Sequence, residues 1–298
     1  MWCGYAEPDT LPQALLFRST DALGSWHFAG VFYLGGAADM NRVDCPDMFA
    51  AGGNQTAFLF LDHGQGATRT VWMLGAMANA TAFTMHSRGV VDYGSVIAMQ
   101  SFTDMQQRRV QLGWISVQPP GSAFAGAQSL PRVVEAVGAS LYFRPHPAVA
   151  TLHGAEQRWP PQTLTPGQRL ELGNVSRAVH VSINITLPAA GSVTLELDTF
   201  TASLARATHT TADAWTLTAA GAAPVPLAAP AGGAAQLDVF MDRVIVEVFA
   251  NGGAAVVTTT YLPPGAPTPS APAALLTTST ATVAVAAYAM GSAFVESN

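Results

Sequence analysis

Short apolar runs separated by turn residues set the pattern along the first half of the chain. Residues 14–18, 28–34, 56–61, 70–77, 82–86, 97–102 and 109–115 are apolar or alternate in period two, as strands do. Gly35-Gly36, Gly52-Gly53-Asn54, His63-Gly64, Tyr93-Gly94 and Pro119-Pro120-Gly121 supply turns between them. No helical period persists for ten residues. Many short strands so spaced point to a sandwich, barrel or propeller, and groups of four favour propeller blades. Residues 121–128 read as a loop, 130–137 with 140–143 as an extended pair, and 148–156 as a short helix or coil. A domain boundary is expected between Val133 and Pro161. Beyond Leu164 the runs at 179–187, 192–200, 214–217, 235–241, 244–250, 254–261 and 280–288 alternate or are β-branched. Asn251-Gly252-Gly253 between two of them is a hairpin signal, and 263–272 is a Pro-rich surface loop. The second half therefore predicts an antiparallel β-sandwich, and the chain is all-β.

Composition narrows the partners. With 298 residues and 49% apolar content the chain can bury a large core. The net charge is −6 and all 13 basic residues are arginines without a basic run, which argues against nucleic acid. No uncharged stretch reads as a membrane helix; the apolar run 283–287 is short, β-branched and strand-like. Cys3 and Cys45 cannot form a disulfide framework, and whether they form one bridge stays open. The seven histidines are scattered singly and read as structural or surface groups, so no metal site and no cofactor are expected. The first five residues lack the features of a signal peptide. Yet Asn54, Asn79, Asn174 and Asn184, four of seven asparagines, sit in N-x-S/T sequons. These point to a secreted or vacuolar parent protein whose leader would lie upstream.

Chemistry concentrates in Arg42-Val43-Asp44-Cys45-Pro46-Asp47-Met48-Phe49. Pro46 excludes a helix and biases Cys45 towards an extended conformation. A carboxylate held there can act as a general acid or base; the alternative is a loop with two solvated aspartates.

Further segments complete a resemblance. RVDCPDMF (42–49), VDYGSVIAMQSFTD (91–104) with RRVQLGWIS (108–116), LPRVVEAVGASLYFRPHP (130–147), LDVFMDRVIVEVFANGGAAVVTTTYLP (237–263) and VAVAAYAMGSAF (283–294) resemble, in order, segments of glycoside hydrolase family 32, the invertase and fructan-hydrolase family. The resemblance covers nearly the whole chain. It implies a five-bladed β-propeller, present here as about three blades in residues 1–147, followed by a β-sandwich in 148–298. Residues 1–34, with LLFRSTDALGSWHFAGV, resemble the third blade, so about two blades are expected to be absent. Such a set cannot close a ring and should expose an apolar blade face.

The resemblance also implies retaining cleavage of sucrose or fructans, with two carboxyls about 5–5.5 Å apart. Asp44 takes the acid/base position, where the family carries glutamate; its carboxyl would sit roughly 1–1.5 Å back, a displacement that can cost about 10²-fold. The family's Asn-Asp-Pro-Asn-Gly nucleophile segment and Arg-Asp-Pro triplet do not occur in the sequence. The chain alone is therefore expected to be inactive, and a vestigial carbohydrate-binding protein is the alternative. Trp114 would face sugar or else fill core. Asp92 and Tyr93 would line the pocket rim. Cys45 would tune the neighbouring carboxyl or be a buried thiol, and Asp47 would contact sugar or satisfy turn amides. Asp242 and Glu247 read as hairpin and surface residues, and the sandwich carries no catalytic cluster.

Overall fold

Alternation and turns become strands almost throughout a computed structural model, which describes residues 2–4, 13–21, 24–34, 43–63, 68–79, 81–119, 121–208, 213–262 and 269–292. Among the described residues no helix is long and apolar enough to cross a membrane. Two compact units are present, the first comprising Met1–Asp92, Val96–Ser116 and Gly126–Phe143.

The first unit contains three antiparallel sheets in a blade-like arrangement. Strands β1 (Trp2–Gly4), β2 (Gln13–Arg18) and β3 (His27–Leu34) form the first. Strands β4 (Val43–Ala50), β5 (Thr56–Asp62), β6 (Arg69–Met77) and β7 (Phe83–Val90) form the second, in chain order. The third holds β8 (Val96–Thr103), β9 (Arg109–Ile115), β10 (Ala127–Gln128), β11 (Arg132–Val137) and β12 (Ser140–Pro145), with β8 and β11 both paired to β9. In each sheet the first strand is an edge, and β1, β4 and β8 run beside one another.

Period two explains how β5 and β6, the inner strands of the second sheet, are buried on both faces. On one face Val43, Phe58, Phe60, Val71 and Met73 join Ala14 and Phe32 of the first sheet, with the Phe32 and Phe58 rings 5.1 Å apart and edge-on. The alternate residues of β5, Leu59 and Leu61, turn towards the third sheet. The side chains of Phe28, Val31 and Leu34 in the first sheet and of Phe102 and Trp114 in the third are exposed.

The second unit holds Tyr93–Ser95, Val117–Ala125 and Arg144–Asn298. The helix-or-coil expectation at 148–156 resolves into a 3₁₀ turn over Pro147–Leu152 that gives way to strand at His153; His146 Nδ1 accepts from the Ala148 N–H at its start. Twelve strands follow: β13 (His153–Leu164), β14 (Arg169–Ser176), β15 (Ala178–Thr186), β16 (Gly191–Leu197), β17 (Phe200–Thr208), β18 (Asp213–Ala219), β19 (Val225–Leu227), β20 (Ala234–Asp242), β21 (Ile245–Ala250), β22 (Ala255–Thr260), β23 (Ser270–Thr277) and β24 (Ala281–Met290). They form two six-stranded sheets, ordered β13-β24-β15-β20-β21-β22 and β14-β23-β16-β17-β18-β19. Alternate residues such as Val181, Ile183 and Val248 from the first meet Leu195, Leu204, Trp215 and Leu275 from the second in one core.

The outer face of the first sandwich sheet carries a polar ladder. His180 Nε2 lies 3.1 Å from Asp238 Oδ1 and its Nδ1 3.1 Å from His153 Nε2. Tyr288 stacks on His153 at 4.2 Å and Phe240 on His180 at 3.9 Å. Burial, then the neighbouring His180 charge, pushes His153 below the usual imidazole range, against an opposing pull from Glu156. The unfolded chain then binds more protons than the folded one just below the ordinary histidine value. Stability is therefore full above about pH 6.5 and falls as pH drops towards the depressed folded value. Unfolding curves of His153→Gln, which removes the titration, should lose this acid-side slope; an unchanged slope would assign it elsewhere.

Candidate active site

The segment 43–50 is an edge strand, not a loop. In β4, Asp44 lies opposite Leu61 and Asp47 opposite Leu59, so three steps on β4 face two on β5. This is a β-bulge, and it explains how a proline sits in a strand: Pro46 has no N–H to offer and occupies the irregular part of an edge. The expected extended Cys45 is corrected here, since its φ is +48°. A left-handed non-glycine residue costs about 1–2 kcal/mol, and such conformations gather at functional sites. The bulge also turns an i, i+3 spacing into a same-face pair, so Asp44 and Asp47 both point away from the Phe58–Phe60 core.

The two carboxylates have different neighbours. Asp44 Oδ2 lies 3.0 Å from His63 Nε2, and both side chains are partly exposed. A carboxylate bonded to an imidazole is a pairing suited to proton transfer. Asp47 is buried and committed. Its Oδ1 accepts from Arg109 Nη2 at 2.8 Å, Ser101 Oγ donates to its Oδ2, and Arg109 Nε donates to Ser101 Oγ at 2.6 Å. The Arg109 guanidinium stacks 4.4 Å above the Phe49 ring. Asp47 therefore clamps β4 to β8 and β9, which corrects both the sugar-contact and the turn-amide expectations.

A second bulge faces the first. Ile97 lies opposite Trp114 and Gln100 opposite Leu112, with Ala98 between them at φ +51°. Gln100 Nε2 donates to the Cys45 carbonyl at 3.0 Å and to the Met99 carbonyl at 2.9 Å, tying the two bulges together. The Cys45 side chain is partly buried and forms no disulfide. Beyond Gln100 opens a cavity of about 310 Å³ lined by Ala98, Phe102, Leu112, Trp114 and Gln128. Trp114 is 44% exposed there, so it does not fill core. Its indole lies against Gly126, where a Cβ would come within 2.3 Å of Nε1.

The expected rim position of Asp92 does not hold. Both Asp92 and Arg132 are fully buried, with Arg132 Nη1 2.8 Å from Asp92 Oδ2. Within the second unit Tyr93 packs against the sandwich core, and its N–H donates to the Val256 carbonyl at 2.9 Å. The structure thus brings Asp44, Cys45 and, through Gln100, the Trp114 cavity together, and leaves Asp92 as architecture. Nothing in the residue types of His63, Gln100 and Ser101 marks them as part of this site. A histidine one step past β5, across a hairpin from Asp44, was the available signal for His63.

Family models match in two blocks: the N-terminal domain of glycosyl hydrolases family 32 over residues 1–145, and its C-terminal domain over 168–288. The chain belongs to glycosyl hydrolases family 32. Among similar proteins, the sucrose-6-phosphate hydrolase of Salmonella typhimurium is 26% identical over 279 residues, covering 84% of this chain and 55% of that protein. Its counterpart from Escherichia coli is 25% identical over 295 residues, covering 88% and 58%. The chain thus spans little more than half the length of these relatives. Fructan 1-exohydrolase IIa from Cichorium intybus superposes with a TM-score of 0.83 at 17% identity, covering 96% of this chain and 68% of that one. A family 32 β-fructofuranosidase from Bombyx mori gives 0.73 at 18% identity, covering 95% and 61%. At such identities the structural likeness establishes the propeller-plus-sandwich fold.

Proposed function

We propose that this chain carries the acid/base side of a β-fructofuranosidase-type glycosidase acting on sucrose or a fructan by retaining double displacement. The observation that carries the reading is Asp44, paired with His63 and set on a bulge that Gln100 ties to the cavity of Trp114. In that mechanism the protonated Asp44 carboxyl gives its proton to the glycosidic oxygen as the bond to the fructosyl anomeric carbon breaks. The carboxylate then takes a proton from the water that attacks the fructosyl–enzyme intermediate. Trp114 offers an apolar face to a sugar ring. No Asn-Asp-Pro-Asn-Gly segment occurs in the 298 residues, so the attacking carboxylate is not supplied by that motif. These residues are expected to bind sugar without cleaving it.

Titration calorimetry with sucrose and 1-kestose, paired with a fructose-release assay, tests both halves. Binding should weaken about tenfold in Trp114→Ala, a loss of about 1.4 kcal/mol. No fructose should appear. Failure to bind either sugar would remove the substrate class. Fructose release abolished by Asp44→Asn would overturn the expected inactivity while upholding the role of Asp44.

A further inference from the structure

We infer that Asn54 and Asn79 are acceptor sites for N-linked glycans, placed at the end of the second sheet remote from Asp44. Both asparagines satisfy the sequon, with Thr56 and Thr81 two residues on. Each lies exposed in a hairpin turn, Asn54 between β4 and β5 and Asn79 between β6 and β7. The β4–β5 turn is tight: the Ala51 N–H donates to the Gln55 carbonyl at 2.9 Å, and Gly52 and Gly53 take φ of +96° and +54°. In the second turn Asn79 Oδ1 accepts from the Thr81 N–H at 2.9 Å, from Thr81 Oγ1 at 3.2 Å and from the Ala82 N–H at 2.9 Å. This local fold sets the sequon hydroxyl on the asparagine amide oxygen. Asn174 and Asn184 differ, because they lie in β14 and β15, where the pleat holds residues i and i+2 roughly 7 Å apart.

Topology decides what such glycans would touch. Antiparallel order places the β4–β5 and β6–β7 turns at one end of the sheet and the β5–β6 connection, with His63, at the other. Asp44 is the second residue of β4, so about 20 Å of strand separates it from the turn that holds Asn54. Glycans at these turns leave the Asp44 end open. One at Asn79 stands beside β7, the edge strand of its sheet, and would hinder pairing with another chain.

The transfer needs an oligosaccharide on a lipid diphosphate, encountered in the secretory pathway. Asn Nδ2 forms a bond to the anomeric carbon, the carbon–oxygen bond to the diphosphate breaks, the lipid diphosphate leaves with the electron pair, and the amide nitrogen loses one proton. The test expresses the full chain behind a cleavable signal sequence in a eukaryotic host. Site occupancy is read by mass spectrometry after enzymatic glycan release, on cell-associated and secreted chain together. Expected is a glycan at both turns, with Asn54→Gln and Asn79→Gln each removing one, Thr81→Ala removing that at Asn79 and Thr81→Ser retaining it. Unmodified Asn54 and Asn79, or a glycan at Asn79 that survives Thr81→Ala, would overturn the inference.

Discussion

Arg132→Met is expected to destabilise the first unit by about 3–5 kcal/mol, the cost of stranding a buried charge. Arg132 at the start of β11 and Asp92 before β8 are both fully buried and 2.8 Å apart. Removing the guanidinium leaves the carboxylate in a low-dielectric interior, so the penalty is chiefly desolvation, not the lost attraction. A double variant, Asp92→Leu with Arg132→Met, should therefore recover much of the loss, with strong non-additivity. Because the chain has two compact units, a single midpoint would mix their transitions. Amide exchange of β9 and β11 reports on the right one. A single variant within about 0.5 kcal/mol of the parent, the range of ordinary surface changes, would show that the pair does not hold the third sheet.

That pair also shows which parts of the molecule were legible in the sequence. Local signals were read well where one cause dominates. Asn251-Gly252-Gly253 predicts a hairpin, and β21 and β22 pair across it with φ of +50°, +63° and +86° at those residues. The alternation at 179–187 predicts a half-buried strand, and Val179, Val181, Ile183 and Ile185 are buried while residues between them are not.

Where two causes compete, local pattern misleads. β13, a twelve-residue strand, contains Trp159-Pro160-Pro161, at the end of the stretch where a domain boundary is expected. The prolines are accommodated because β13 is an edge and its register with β24 slips between Trp159 and Gln162. Pro272 likewise hides β23, although that strand lies between β14 and β16. In the candidate site, the pre-proline bias towards extended backbone lost to the bulge at Cys45. Burial was the other blind spot. Nothing in the residue types separates a carboxylate clamped by Arg109 from one that meets solvent, yet Asp47 and Asp44 differ in that respect.

Gly94→Ala is expected to cost about 3 kcal/mol or more, at the upper end of overpacking effects. A Cβ at Gly94 would come within 1.7 Å of the Thr258 carbonyl oxygen and 2.6 Å of its backbone N and C. Thr258 is fully buried in β22 and paired to Glu247 of β21, so its backbone cannot yield. The 93–95 segment must move instead. Two hydrogen bonds then break, Tyr93 N–H to the Val256 carbonyl at 2.9 Å and Ser95 N–H to the Thr258 carbonyl at 2.8 Å. These bonds cover β22, the terminal strand of its sheet, so their loss bares an edge able to pair with another chain. Gly138→Ala is the control: nothing lies within 4 Å of its Cβ position, and its φ of +62° limits the cost to about 1–2 kcal/mol of backbone strain. Faster exchange of the Tyr93 and Ser95 amides with self-association in light scattering is the expected result for Gly94→Ala alone. Unchanged exchange together with weakened sugar binding would return the Asp92-Tyr93-Gly94 segment to the substrate site.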